Sequence, residues 1–152
     1  MNLVIDTNVW ISTLINKNGA SHQIIGLALL DKISPQISAT LFLEYEAVMK
    51  RESIQKQCVL TIKEQEELFQ AFLSSCTYNE IFYLWRPNLK DKNDNFLVEL
   101  AVASNSKYII TENIKDLKSS ELHFDFKVCT VKEFLQRKNY EYTNIENFRH
   151  KI

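Results

Sequence analysis

Three carboxylates and one amide stand where they could act together: Asp6, Glu44, Asp94 and Asn113. Asp6 ends the apolar run Leu3-Val4-Ile5, which reads as a strand buried on both faces. An acid at the carboxyl end of such a strand lies in the crevice where open α/β sheets take ligands. The same residue suits the N-cap of a following helix, and the two roles are compatible. Glu44 follows Leu41 by three and precedes Val48 by four, so it shares their helical stripe with Tyr45. A carboxylate on an apolar face needs a partner, a hydrogen bond or a metal, unless it reaches water from the edge of the stripe. Asp94 heads the run Asn95-Phe96-Leu97-Val98-Glu99-Leu100-Ala101 and is well placed as a helix cap. Asn113 lies in Thr111-Glu112-Asn113, the polar triplet closing a second apolar strand, Tyr108-Ile109-Ile110.

Three carboxylates in one crevice repel. At ~4 Å and an effective dielectric of ~20 each pair costs about 4 kcal/mol, which protons or a cation must relieve. An oxygen-only donor set selects a hard ion, so Mg²⁺ or Mn²⁺ is expected. Such an ion activates water and stabilises a leaving oxygen, the chemistry of phosphodiester hydrolysis. The motifs hold no His or Cys nucleophile. His22, His123 and His150 are scattered, and Cys58, Cys76 and Cys129 are odd in number and widely spaced. They fit neither a zinc nor a redox pair, so reduced thiols and a cytoplasmic location are expected.

The elements that must position these groups alternate. After Asp6, a stripe of Val9, Trp10, Ile11, Leu14 and Ile15 predicts a helix, broken at Asn16-Lys17-Asn18-Gly19. Ser21 is the expected cap of a second helix reaching about Leu30. Residues 33–37 read as a short strand that Pro35 confines to an edge or a strand start. Helices are expected over about 39–51, over 61–75 behind the capping box Thr61-Ile62-Lys63-Glu64, over about 94–104, and behind a second box, Thr130-Val131-Lys132-Glu133. Residues 78–85 and 126–129 are strand candidates, and 86–93 a loop. The chain is expected to form one α/β domain over 1–138, with a mostly parallel sheet, and a C-terminal extension over 139–152. Right-handed crossovers place all parallel strand ends on one edge, where Asp6, Asp94 and Asn113 converge and Glu44 reaches in from its helix.

The bulk numbers agree with one ordinary globular domain: 152 residues, 45% hydrophobic and 24% charged. A formal net charge of -1 excludes an overtly basic nucleic-acid binder, so any hold on a polyanion is local or metal-borne. Two Gly and two Pro argue against a fold built on many tight turns. No secretory signal pattern is expected, because the first apolar run ends at Asp6. No apolar stretch approaches the ~18 residues of a membrane span.

On four motifs in order the sequence resembles the PIN-domain proteins, many of them ribonuclease toxins of bacterial toxin–antitoxin pairs. The motifs are Val4-Ile5-Asp6-Thr7-Asn8, Glu44 within Leu43-Glu44-Tyr45-Glu46-Ala47-Val48, Asp91-Lys92-Asn93-Asp94 with the run after it, and Tyr108-Ile109-Ile110-Thr111-Glu112-Asn113-Ile114-Lys115-Asp116-Leu117. The likeness spans about residues 1–136. It implies a three-layer PIN-like fold and a Mg²⁺- or Mn²⁺-dependent endoribonuclease. It also implies an RNA substrate, a protein antitoxin as partner and self-association as a homodimer. By position, Asp6, Glu44 and Asp94 take the metal-binding roles, with Asn113 as the fourth member of the catalytic set. Thr7, Asn8, Asp91, Thr111 and Asp116 are expected to hold the acids or to orient phosphate. Asn113 stands where many members carry Asp. Its amide offers an oxygen without a charge, which should weaken a second metal more than a first; Asp116 or Glu112 are the possible replacements. Lys50, Arg51, Lys90, Lys92, Lys107 and Lys115 are candidates for guiding phosphates, or are scattered surface lysines and arginine.

Asn113 also favours a second reading, a catalytically weak or inactive PIN-fold module that binds protein or RNA. A third, a phosphatase of the haloacid-dehalogenase type, also begins with a strand ending in Asp. It needs a second acid two residues on, where this chain has Asn8.

Overall fold

A computed structural model describes residues 1–16, 19–81 and 95–138; of Asn95 only the backbone is considered. Five strands form one sheet in the order β3-β2-β1-β4-β5: β1 (Asn2–Ile5), β2 (Ser34–Ile37), β3 (Thr77–Tyr78), β4 (Tyr108–Ile110) and β5 (Lys127–Cys129). Every pairing is parallel. The helices flanking it are α1 (Thr7–Ile15), α2 (Ala20–Leu29), α3 (Ala39–Met49), α4 (Glu52–Gln57), α5 (Ile62–Ser75), α6 (Asn95–Ala103), α7 (Ile114–Leu117) and α8 (Val131–Arg137). This is the α/β architecture that the alternating pattern predicts.

The strand order follows from burial. Leu3, Val4 and Ile5 of β1 are wholly buried, as are Ile109 and Ile110 of β4 and Val128 and Cys129 of β5. Apolar runs of this kind need cover on both faces, which a parallel sheet with crossover helices provides. The chain first builds outward from β1 to β2 and β3, then returns to the other side of β1 for β4 and β5. The direction of winding therefore reverses between β1 and β4, and at such a switch point the loops leaving the two carboxyl ends part to form a crevice.

Both capping boxes form as their sequences predict, with Thr61 and Glu64 heading α5 and Thr130 and Glu133 heading α8. One boundary differs from expectation. Gly19, not Ser21, caps α2; Ser21 is the second residue of the helix and is buried. Pro35 takes the second of its two expected placements: it sits near the start of β2, which is an interior strand. Pairing to β3 begins only at Gln36, so Pro35 falls where β2 is laddered to β1 alone. Residues 114–122 fold as α7 and a 3-10 turn, Lys118–Leu122, in which Leu117 and Ser120 are buried. The strand candidate 78–85 is confirmed only at its first residue, and its later part lies outside the described residues. The same is true of the loop 86–93, of Asp94 as a helix cap and of the extension 139–152.

Candidate functional site at the carboxyl ends of β1 and β4

Asp6 leaves the end of β1 and caps α1: its Oδ1 accepts the Thr7 backbone N–H at 2.7 Å. The Thr7 hydroxyl reaches the same oxygen at 3.3 Å. Oδ2 accepts from the Thr111 hydroxyl at 2.7 Å and from Asn8 Nδ2 at 3.3 Å. The strand end and cap roles foreseen for Asp6 are thus held together. The backbone N–H of Asp6 donates to the Ile110 carbonyl at 2.9 Å, which locks the two strand ends side by side.

Asn8 and Thr111 complete the junction. Asn8 Nδ2 also donates to Thr111 Oγ1 at 3.2 Å, and Asn8 Oδ1 accepts the Glu112 N–H at 3.2 Å. Thr111 is fully buried, and its hydroxyl accepts the Asn113 N–H at 3.0 Å. The loop after β4 is therefore folded back on the first turn of α1 by side chains rather than by sheet pairing.

Asp6 is 7% exposed. Burial raises its pKa above the ordinary carboxylate value; the bonds from Thr111 and Thr7 pull the other way without cancelling the shift. Among the described residues no Lys or Arg pairs with it. A buried carboxylate served only by neutral donors is a charge still seeking compensation.

Glu44 lies on α3, which starts at the carboxyl end of β2 behind the Ser38 cap. Leu41, Tyr45 and Val48 are buried as the stripe predicts, while Glu44 is half-buried at its margin. No hydrogen bond or ion pair among the described residues occupies its carboxylate. The next residue, Tyr45, donates its hydroxyl to the Ile5 carbonyl and ties α3 to the end of β1. Burial first, then the charges of Cys76 and Asp6, keep that phenol protonated well above its usual pKa.

Asn113 follows Thr111 on the same edge, but its Nδ2 is turned to Asp116 Oδ2 at 2.6 Å, within its own turn. Glu112 Oε1 accepts the Val131 N–H at 3.4 Å, so that carboxylate is directed to the start of α8. Asp91 and Asp94 lie outside the described residues. Among the described residues no three of His, Cys, Asp and Glu gather closely enough to hold a metal; the expected set needs Asp94 as its third member.

Of the basic candidates, Lys115 on α7 stands at this edge. Lys107 precedes β4 and so belongs to the opposite edge, and Lys50 and Arg51 follow α3 at the end remote from its Ser38 cap. Lys90 and Lys92 lie outside the described residues.

One acid outside the expected set is also buried. Glu99, on α6, is 5% exposed and is with Asp6 one of the two buried carboxylates among the described residues. Its signal is an acid inside the apolar run Phe96-Leu97-Val98-Glu99-Leu100-Ala101, on a helix that packs against β1 and β4. Burial raises the thiol of Cys76 to about 12 and that of Cys129 to about 11, which keeps both protonated at neutral pH.

A PIN-domain family model matches residues 2–115, from the first strand through the Thr111–Lys115 turn. The chain belongs to the PIN-domain family. The match takes in β1 to β4, and with them every residue of the β1–β4 junction. No curated protein matches the chain. The crystal structure of VapBC2 from Rickettsia felis bound to a promoter DNA fragment is similar to this chain, with a TM-score of 0.52 and 20% identity. The match covers 84% of this chain and 97% of the matched one, and at that identity it supports the PIN fold alone. PIN domains are in general nucleases, which is the class of chemistry the sequence points to.

Proposed function

We propose that this PIN-domain chain is an Mg²⁺- or Mn²⁺-dependent endoribonuclease and the toxin of a toxin–antitoxin pair. The observation that carries the reading is Asp6: a buried carboxylate at the β1–β4 switch point, with both oxygens oriented by neutral donors and no cationic side chain among the described residues to balance it. The donor chemistry fits a hard cation. Asp6 and Glu44 supply carboxylate oxygens at the same sheet edge, and Asp94 is proposed as the third ligand from the head of α6. When bound, the ion supplies the Lewis acidity that phosphodiester hydrolysis needs.

The chain's own groups do the rest. Thr111 and Thr7 fix the rotamer of Asp6, so the carboxylate presents its oxygens without searching. Asn8 braces Thr111 and the Glu112 backbone. Asn113 and Asp116 act as a hydrogen-bonded pair at the mouth of the crevice and orient phosphate there, with Lys115 on the same short helix; Asp91 is proposed as an accessory acid on the resemblance alone. The partner proposed is a protein antitoxin, in keeping with the likeness to the VapBC2 structure, and the proposed working location is the cytoplasm. Among the described residues no helix is long and apolar enough to cross a membrane.

The test is cleavage of a fluorescent RNA panel by purified protein with Mg²⁺ or Mn²⁺, with chelator, and by Asp6→Asn and Asp94→Asn. Metal-dependent cleavage lost in both variants is expected. Equal cleavage by wild type and variants, or cleavage in chelator, rejects the reading. The Asn113–Asp116 pair also favours the weaker alternative, a binding module without turnover, since an amide stands where a fourth acid would add charge. RNA retention without cleavage, by protein shown to be folded and metal-loaded, would select it.

A further inference from the structure

We propose that Tyr45 is a positioning residue for the cation site: its hydroxyl, bonded to the Ile5 carbonyl, sets where Glu44 stands relative to Asp6. The proposal rests on the reading of Asp6 and Glu44 as cation ligands. Tyr45 directly follows Glu44, and Ile5 directly precedes Asp6. One side-chain-to-backbone hydrogen bond thus joins the two chain segments that carry the acids, each acid a single residue away from it.

Among the described residues no other hydrogen bond makes that link, although α1, which Asp6 caps, also packs against α3. The register between β1 and β2 covers Asn2 and Leu3, so on that flank the end of β1 runs past its pairing. On the other flank Asp6 is tied to β4, which fixes it to Thr111 but not to α3. The Tyr45 ring is held from two further helices. Phe72 and Phe69 of α5 meet it edge-on at centroid distances of 5.7 and 6.4 Å, and Trp10 of α1 lies at 6.4 Å. With the ring clamped and 1% exposed, the hydroxyl has a fixed reach, and α3 is set at a fixed height on the end of β1.

The consequence is selective. Mg²⁺ requires near-ideal octahedral geometry at ~2.1 Å, whereas Ca²⁺ accepts longer and more varied contacts. A small slip of α3 should therefore penalise Mg²⁺ and Mn²⁺ more than Ca²⁺. A loss of general stability would not discriminate between ions.

The test compares the full chain with Tyr45→Phe, which keeps the ring and removes the hydroxyl, and with Phe126→Leu, which loosens the buried core ahead of β5, at the opposite sheet edge. Calorimetric titration with Mn²⁺, Mg²⁺ and Ca²⁺ is read beside melting temperature, at a temperature where all three are folded. Tyr45→Phe is expected to weaken Mn²⁺ and Mg²⁺ at least tenfold and Ca²⁺ distinctly less, while Phe126→Leu keeps all three within about twofold despite a lower melting temperature. If Tyr45→Phe does not fold, Tyr45→Met keeps an apolar, adaptable side chain there without a hydroxyl. Unchanged Mn²⁺ affinity in the hydroxyl-less protein, or an equal loss in Phe126→Leu, overturns the positioning role and leaves the cation site standing. Wild type that binds none of the ions removes the cation site, and the positioning role with it.

Discussion

The Thr111 hydroxyl donates to Asp6 Oδ2 at 2.7 Å, although the two residues lie 105 positions apart in the chain. That hydroxyl also accepts from Asn8 Nδ2 and from the Asn113 N–H, so its one donor and two acceptor positions are all used. A single buried side chain thereby defines the rotamer of the acid, the start of α1 and the path of the loop after β4.

Replacing it tests that role. Thr111→Val keeps the shape and removes the hydroxyl, leaving Asp6 Oδ2 with one weak donor and two amides without their acceptor. The expected loss is about 1–3 kcal/mol in urea unfolding, with at least a tenfold fall in RNA cleavage. Thr111→Ser, which restores the hydroxyl, should recover most of the activity. A valine variant as active as wild type would show that Asp6 is positioned by other means.

Asp6 also makes stability depend on pH. Its folded-state pKa is raised, so between the ordinary carboxylate value near ~3.9 and its own the native state holds more protons than the unfolded state. Metal-free stability contributed by this group therefore falls as pH rises through that window, and the penalty is complete above it. Asp6→Asn lacks the penalty. Its melting temperature minus that of wild type, in chelator, should rise from acid toward neutral pH and then level off. Added Mn²⁺ should narrow the gap by stabilising wild type alone. A difference that is flat with pH would mean the burial cost is compensated within the protein.

These features differ in how far the residue pattern reveals them. The β1 acid, the α3 stripe and both capping boxes are local signals, and each appears where the pattern puts it. The half-burial of Glu44 reflects a stripe narrower than its spacing suggests, since Leu41, Tyr45 and Val48 already fill the contact. The side-chain links are not local. Nothing near Tyr45 announces Ile5 as its acceptor, and nothing near Asn8 announces Glu112. Glu99 is masked by the apolar run around it, whose hydrophobic residues alone signal a buried helix face. Gly19 displaced Ser21 as a cap because packing drew Ser21 into the interior.

Asn113 allows the charge of the site to be raised. Asn113→Asp sets a second carboxylate against Asp116 in place of the present 2.6 Å hydrogen bond. Without divalent metal the variant should melt lower than wild type, because two like charges share one turn. With Mn²⁺ the difference should close or reverse, and calorimetry should show tighter or additional binding. Lower stability that metal does not restore would place this pair outside the cation site.

Asp6, Glu44 and Asp94 are proposed to meet around one hard cation. A Mn²⁺-soaked crystal, mapped by anomalous scattering, tests this most directly. The expected result is a strong peak at the carboxyl ends of β1 and β4, contacted by carboxylate oxygens of Asp6, Glu44 and Asp94. A well-ordered map with no peak beside Asp6, or with the ion held by other side chains while these three face apart, would contradict it.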